Sequence, residues 1–237
     1  MIFLRSLAYV IWLYGSMTAI GLAAAPFAAF SQRAAIAASR LWGKAAIWGV
    51  RIICGVRLEV RGREHIPPGA GLVAAKHQSM LDTIAPFCLM WNPAIVLKRE
   101  LLAMPMFGWF CQRLGMIAID REAHASALRD MLRTARARSA AGRAIVIFPE
   151  GTRQEPGAAP DYKPGVAALY RDLKLPCTPV ALNTGLTWSA RGIIRRPGRA
   201  VIEFLPAIPA GLSREDFMRE LEARIESASN RLIEEGR

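Results

Sequence analysis

Between Arg5 and Arg33 the chain carries no charged side chain. A helix needs about 20 mostly apolar residues to cross a bilayer, so the run from Ser6 to Phe30 is long enough to cross or enter one. Tyr9, Trp12 and Tyr14 add the amphipathic rings favoured at a membrane–water boundary. Ala23, Ala24 and Ala25 would also suit a signal cleavage region, but Pro26 follows directly and the apolar run is long for a signal core. Next, Arg33, Arg40, Lys44 and Arg51 recur at intervals of seven, four and seven residues. At about 100° per residue this puts all four on one helical stripe, with Ile36, Leu41, Trp42, Ile47, Trp48, Ile52 and Ile53 on the other sides. Such a helix suits the headgroup layer, cations toward anionic lipid phosphates and apolar residues dipping inward. The alternative is a solvated charged face on a helix packed against the domain. Cations are more numerous after the apolar run than before it, which places the main domain on the cytoplasmic face of the membrane, a bacterial inner membrane on this reading. Residues 1–55 are therefore expected to form an anchor, and 56–237 a single globular domain.

A formal charge of +12 calls for a polyanionic partner, whether nucleic acid, an anionic membrane or a phosphate-bearing substrate. No zinc-finger spacing, ribonucleoprotein aromatic signature or helix-turn-helix pattern supports nucleic acid. Cys54, Cys88, Cys111 and Cys177 are widely spaced, with no C-x-x-C pair or neighbouring histidine cluster, so neither a metal site nor a disulfide framework is expected.

From Arg57 onward, short β-branched runs alternate with helical patterns, which predicts an α/β domain with a mixed, largely parallel sheet flanked by helices. The expected strands are Leu58–Arg61, Leu72–Ala75, Ala94–Leu97, Met116–Ile119, Ala144–Phe148, Thr178–Leu182 and Ala200–Leu205. Helical patterns cover Ser79–Met90, Ser126–Ala140 and Gly165–Leu173. A last helix starts at Ser213, where Ser213 and Asp216 have capping-box spacing, and runs to about Glu235. The stretch Gln154–Pro164 reads as a loop.

Two strings carry chemistry. In Lys76-His77-Gln78-Ser79-Met80-Leu81-Asp82, a histidine precedes a carboxylate by five residues at a strand end. On one helix such positions point about 140° apart, so the two can meet only if His77 precedes the helix. With Ser79 as N-cap, Asp82 would reach back from the first turn, fix the imidazole tautomer and leave the second nitrogen to accept a proton. Read alone, Ser79 and Asp82 would be an ordinary capping pair. Ser79 sits in no G-x-S-x-G elbow and is too close to His77 for a serine triad. The second string, Phe148-Pro149-Glu150-Gly151-Thr152-Arg153, offers close backbone approach at glycine, a hydroxyl donor at threonine and a guanidinium able to grip a phosphate in two parallel hydrogen bonds.

With KHQSMLD (Lys76–Asp82), KRELLAMPMFGWF (Lys98–Phe110), GMIAIDR (Gly115–Arg121), IFPEGTR (Ile147–Arg153) and TPVALNTG (Thr178–Gly185) in this order, the chain resembles the glycerolipid acyltransferase family. Lys76 departs from it, standing where many members have asparagine. The resemblance implies His77 as catalytic base and Asp82 as its orienting partner, with Arg121, Glu150, Gly151, Thr152 and Arg153 lining the acceptor site. Lys98 offers a second cation for the phosphate. It implies no cofactor, acyl-CoA or acyl carrier protein as donor substrate, a lysophospholipid acceptor and 1-acyl-glycerol-3-phosphate as the acceptor that yields phosphatidic acid. Amides near the strand-to-helix turn would stabilise the oxyanion. Met104, Met106, Phe107, Trp109 and Phe110 are read as core or as an acyl-chain groove. Two alternatives stay open: acylation of another lysolipid, such as one with an amino-acid headgroup, or a non-catalytic basic module that binds membranes.

Overall fold

The computed structural model describes residues 1–120 and 124–236. The uncharged run becomes α1 (Ile2–Phe30) and the basic segment α2 (Gln32–Cys54), which fold back on each other at Ser31. Ser31 is extended; its amide donates to Phe27 O at the end of α1 and its hydroxyl accepts from the Ala34 amide, capping α2. Trp12 Nε1 donates to Ala45 O at 2.9 Å, Tyr9 to Ala46 O at 3.2 Å and Trp42 Nε1 to Leu13 O at 3.2 Å. As position rises along α1 it falls along α2, so the two helices are antiparallel. Gly49 permits the close approach, because a Cβ there would lie 2.3 Å from the Trp12 indole. By length and composition α1 is able to cross a membrane.

On α2 the stripe divides. Arg33, Lys44 and Arg51 are exposed, whereas Arg40 Nη1 donates to Met90 O at 2.8 Å and its guanidinium lies over Trp91, 5.3 Å from the ring centre. Ile36 and Trp42 pack inward, while Leu41, Trp48 and Ile52 stay more than half exposed beside the free cations. The outer face is therefore mixed, cationic along one edge and apolar along the next.

The domain that follows is built on β1 (Val56–Arg61), β2 (Gly71–Ala75), β3 (Ala94–Lys98), β4 (Ile117–Ile119), β5 (Ala144–Ile147), β6 (Cys177–Leu182) and β7 (Gly198–Phe204). Their order in one sheet is β1-β7-β6-β2-β5-β3-β4. Among the described strands β6 and β7 pair antiparallel, and the other neighbouring pairs are parallel. All seven expected strands are present with ends within two residues of the sequence reading. The remaining helices are α3 (Leu81–Leu89), α4 (Phe107–Arg113), α5 (His124–Ala140), α6 (Gly165–Leu173) and α7 (Arg214–Gly236). At its start, the Ser213 hydroxyl accepts from the Asp216 amide at 3.1 Å and donates to its carboxylate at 2.7 Å. The helix α4 is unforeseen. At seven residues it is too short to show a period, and Met106 before it has φ of 60°, closing a tight turn in which the Phe107 amide reaches Pro105 O.

Alternation along the strands sends side chains to two cores. Val73, Ala75, Val146 and Phe148 face a layer made with Ala35 and Ile36 of α2, Ala85 of α3 and Cys111 of α4. Leu72, Ala74, Ile145 and Ile147 face Met131 of α5, Val166 and Tyr170 of α6, and Phe217 and Ile225 of α7. The parallel run β2, β5, β3, β4 brings the carboxyl ends of four strands to one edge of the sheet, where open α/β sheets bind ligands. His77, Phe148, Lys98 and Asp120 all follow or end those strands.

Candidate active site

Beyond β2 the chain turns over five residues before α3 begins at Leu81. His77 is thus off the helix and Asp82 lies in its first turn. His77 Nδ1 is 3.2 Å from Asp82 Oδ2. With Asp82 ionised, Nδ1 carries the proton and Nε2 has its lone pair free, an assignment made from the hydrogen-bond partners. The imidazole stacks on Phe148, ring centres 4.3 Å apart, and its side chain is 11% exposed, enough for one edge to meet a substrate.

Asp82 does more than orient the ring. Oδ2 also accepts from the Gln78 and Ser79 amides, each at 2.7 Å, and Oδ1 accepts from the Ser79 hydroxyl at 3.0 Å and from the Thr184 hydroxyl. Ser79 and Asp82 thus form the expected reciprocal cap: Ser79 Oγ accepts from the Leu81 amide at 3.1 Å, while the Asp82 carboxylate reaches back to the Ser79 amide and gathers that of Gln78 as well. Ser79 is fully buried with its hydroxyl engaged, which removes it as a nucleophile. Burial raises the Cys88 thiol and pushes Cys111 up to about 12, so neither supplies a thiolate.

The second string wraps the peptide units of His77. Glu150 Oε2 accepts from the His77 amide at 2.9 Å and the Gln154 amide donates to His77 O at 2.8 Å. Gly151, at φ of 69°, turns the chain between them. Glu150 is 1% exposed, and its Oε1 accepts from Lys76 Nζ at 3.0 Å. Burial raises its carboxyl above the ordinary range; the Lys76 ammonium and the His77 amide oppose that rise. Glu150 is accordingly a brace behind the histidine, not a liner of an open acceptor site. Thr152 and Arg153 are exposed at the same strand end, and Arg153 Nη1 touches Ala190 O at 3.4 Å, its one partner among the described residues. Lys98 is exposed at the end of β3. Arg121 lies outside the described residues. The amides of His77, Gln78 and Ser79 are committed to Glu150 and Asp82, so they are not available as oxyanion donors, contrary to the sequence expectation. Thr184 was not foreseen as part of this site; its place in TPVALNTG, just after β6, is the only sequence signal for it.

Between the helical hairpin and α4 runs a narrow apolar cavity lined by Met17, Ile20, Trp42, Met106, Phe107 and Phe110. Three of the five apolar residues singled out in the sequence border it, while Met104 is exposed and Trp109 packs against the core. Among the described residues no group of three His, Cys, Asp or Glu is arranged to hold a metal ion.

Residues 57–183 match the family model described as Acyltransferase. The chain is 34% identical over 186 residues to the 1-acyl-sn-glycerol-3-phosphate acyltransferase of Pseudomonas aeruginosa, covering 78% of this chain and 72% of that protein. It is 30% identical over 164 residues to 1-acyl-sn-glycerol-3-phosphate acyltransferase alpha of Ovis aries, covering 68% of this chain and 57% of that longer relative. The fold superposes with a TM-score of 0.81 on the crystal structure of the 1-acyl-sn-glycerophosphate (LPA) acyltransferase, PlsC, from Thermotoga maritima, at 21% identity and 98% coverage of both chains.

Proposed function

The chain belongs to the acyltransferase family, and from that premise we propose that it moves a fatty acyl group from acyl-CoA or acyl carrier protein to the sn-2 hydroxyl of 1-acyl-glycerol-3-phosphate, giving phosphatidic acid. The observation that carries this reading is the His77 imidazole, tied at Nδ1 to buried Asp82 and open at its other nitrogen. His77 Nε2 takes the hydroxyl proton as that oxygen attacks the thioester carbonyl. The tetrahedral intermediate collapses with cleavage of the C–S bond, and the thiolate leaves, receiving the proton from His77. No acyl-enzyme is needed. Asp82 holds the tautomer and balances the imidazolium that forms in passing.

Arg153 and Lys98 are the acceptor's phosphate ligands in this account, supported by their exposure at the shared strand edge; Arg121 joins them by family resemblance. Thr152 offers its hydroxyl there, and Gly151 its turn. The apolar cavity beside α4 takes an acyl chain, since its walls carry almost no polar surface. Residues 1–55 anchor the enzyme to anionic lipids on the cytoplasmic face, α1 through its exposed apolar side and α2 through Arg33, Lys44 and Arg51 beside Leu41, Trp48 and Ile52. Residues 56–237 form the catalytic domain.

The test presents purified protein with lysophosphatidate, a lysolipid bearing an amino-acid headgroup and a neutral lysolipid, each with acyl-CoA and with acyl carrier protein. Phosphatidate from lysophosphatidate with at least one donor is the expected product. Acylation confined to a lipid without a phosphate monoester, or no acylation, would contradict the assignment.

A further inference from the structure

Directly behind His77, on the opposite face of β2, sits a cluster that the proton-transfer step does not use. Lys76 is 1% exposed, on the side of the sheet that Leu72 and Ala74 share with α7. Its ammonium lies 3.0 Å from Glu150 Oε1 and 2.7 and 2.9 Å from the two oxygens of Glu226 on α7. The Tyr162 hydroxyl donates to Glu226 Oε1 at 2.9 Å, and burial together with Glu226 raises its pKa far above that of a free phenol, so it stays a donor. The next residue, Lys163, donates its amide to Pro149 O at 2.9 Å, closing the segment back onto the strand end.

We infer that Lys76, Glu226 and Tyr162 are positioning residues for His77, acting through Glu150; the inference rests on His77 being the base. Glu150 has two oxygens and two tasks: one holds the ammonium, the other the amide of His77. An ammonium buried with a single carboxylate is poorly compensated. Without Glu226 it would draw Glu150 toward itself and loosen the hydrogen bond that fixes the histidine backbone. Without Lys76, buried Glu150 and half-buried Glu226 would face each other with no cation between them, and Glu150 would take up a proton, again at the expense of the His77 contact. Glu226 lies outside the segment that the family model matches, residues 57–183. The C-terminal helix therefore takes part in holding the catalytic turn of this chain, with Tyr162 fixing which way its carboxylate faces.

The experiment measures kcat, acceptor KM and Tm for the full-length wild type, His77→Ala, Glu226→Gln, Tyr162→Phe, Lys76→Met and the pair Lys76→Met/Glu226→Gln, each assayed well below its own Tm. Displacing a reacting group by a fraction of an ångström should lower kcat of Glu226→Gln by about tenfold and leave acceptor KM within about twofold. Tyr162→Phe should show the same split, more weakly. Lys76→Met should lose more than Glu226→Gln, and the double variant should recover part of that loss because the facing carboxylates are gone. A network that served only stability would lower Tm and leave kcat per folded molecule unchanged, and that result overturns the inference. So does a double variant no more active than Lys76→Met. An inactive His77→Ala beside a fully active Glu226→Gln overturns the network alone, whereas a wild type that acylates no lysolipid overturns the function on which it rests.

Discussion

The Asp82 carboxylate holds a turn as much as it holds an imidazole. Three of its contacts are to the backbone and side chain of Gln78 and Ser79, and a fourth comes from Thr184 across the site. That saturation would keep it fixed through the proton transfer proposed for His77. Arg153 is the opposite kind of residue: exposed, with one weak contact to Ala190 O among the described residues. Exposure of that sort suits a ligand for a phosphate monoester, which a planar fork grips through paired hydrogen bonds that lysine does not reproduce. Replacing it tests the substrate assignment directly. Arg153→Lys should raise the apparent KM for lysophosphatidate more than for the acyl donor, and Arg153→Ala more strongly still. A charge-assisted bond of about 1.5–3 kcal/mol corresponds to roughly ten- to a hundred-fold in acceptor binding. If the bond forms mainly in the transition state, the loss appears in kcat, so both constants are measured. Equal, small effects on acceptor and donor would remove Arg153 as the phosphate ligand.

At the scale of elements, the hairpin of α1 and α2 is where sequence and structure teach most. The cation spacing on α2 was legible because a helical period is a local property, but the partner of each cation was not. Arg40 leaves the stripe for Met90 O and Trp91, residues fifty positions away. The membrane test therefore uses Arg33, Lys44 and Arg51, reversed together to glutamate. With about 1 kcal/mol per cation at an anionic surface, binding to anionic liposomes should fall at least a hundred-fold, while turnover on detergent-dispersed substrate stays near that of the wild type. Unchanged liposome binding would make this face an ordinary solvated one. The seven strands were readable for the same local reason, since short β-branched runs bounded by turn residues announce themselves. Their order was not readable, because register and crossovers depend on contacts between distant segments. The α4 turn at Met106 escaped detection, as did Lys76 with Glu226, which a linear reading separates by most of the domain. Histidine and aspartate five apart were legible as a pair only because the strand-to-helix turn between them was itself predictable.

Over the whole molecule, the alternation of β2 explains the division of labour. Residue 77 falls on the face that carries Phe148, α3 and the hairpin, and residue 76 on the face that carries α6 and α7. The proposed base therefore looks toward the side where the helical hairpin and the apolar cavity lie, and the Lys76 ion cluster sits behind it. An excess of twelve positive charges suits a partner with phosphates at both the membrane and the acceptor. Whether one imidazole performs the proton transfer is read from kcat of His77→Ala against wild type, on lysophosphatidate and acyl donor at saturation, with folding and liposome binding checked on the same preparation. General-base catalysis contributes roughly a hundred- to ten-thousand-fold, so a loss of at least that lower bound is expected in a folded, membrane-binding protein. Turnover like that of the wild type in His77→Ala would contradict it.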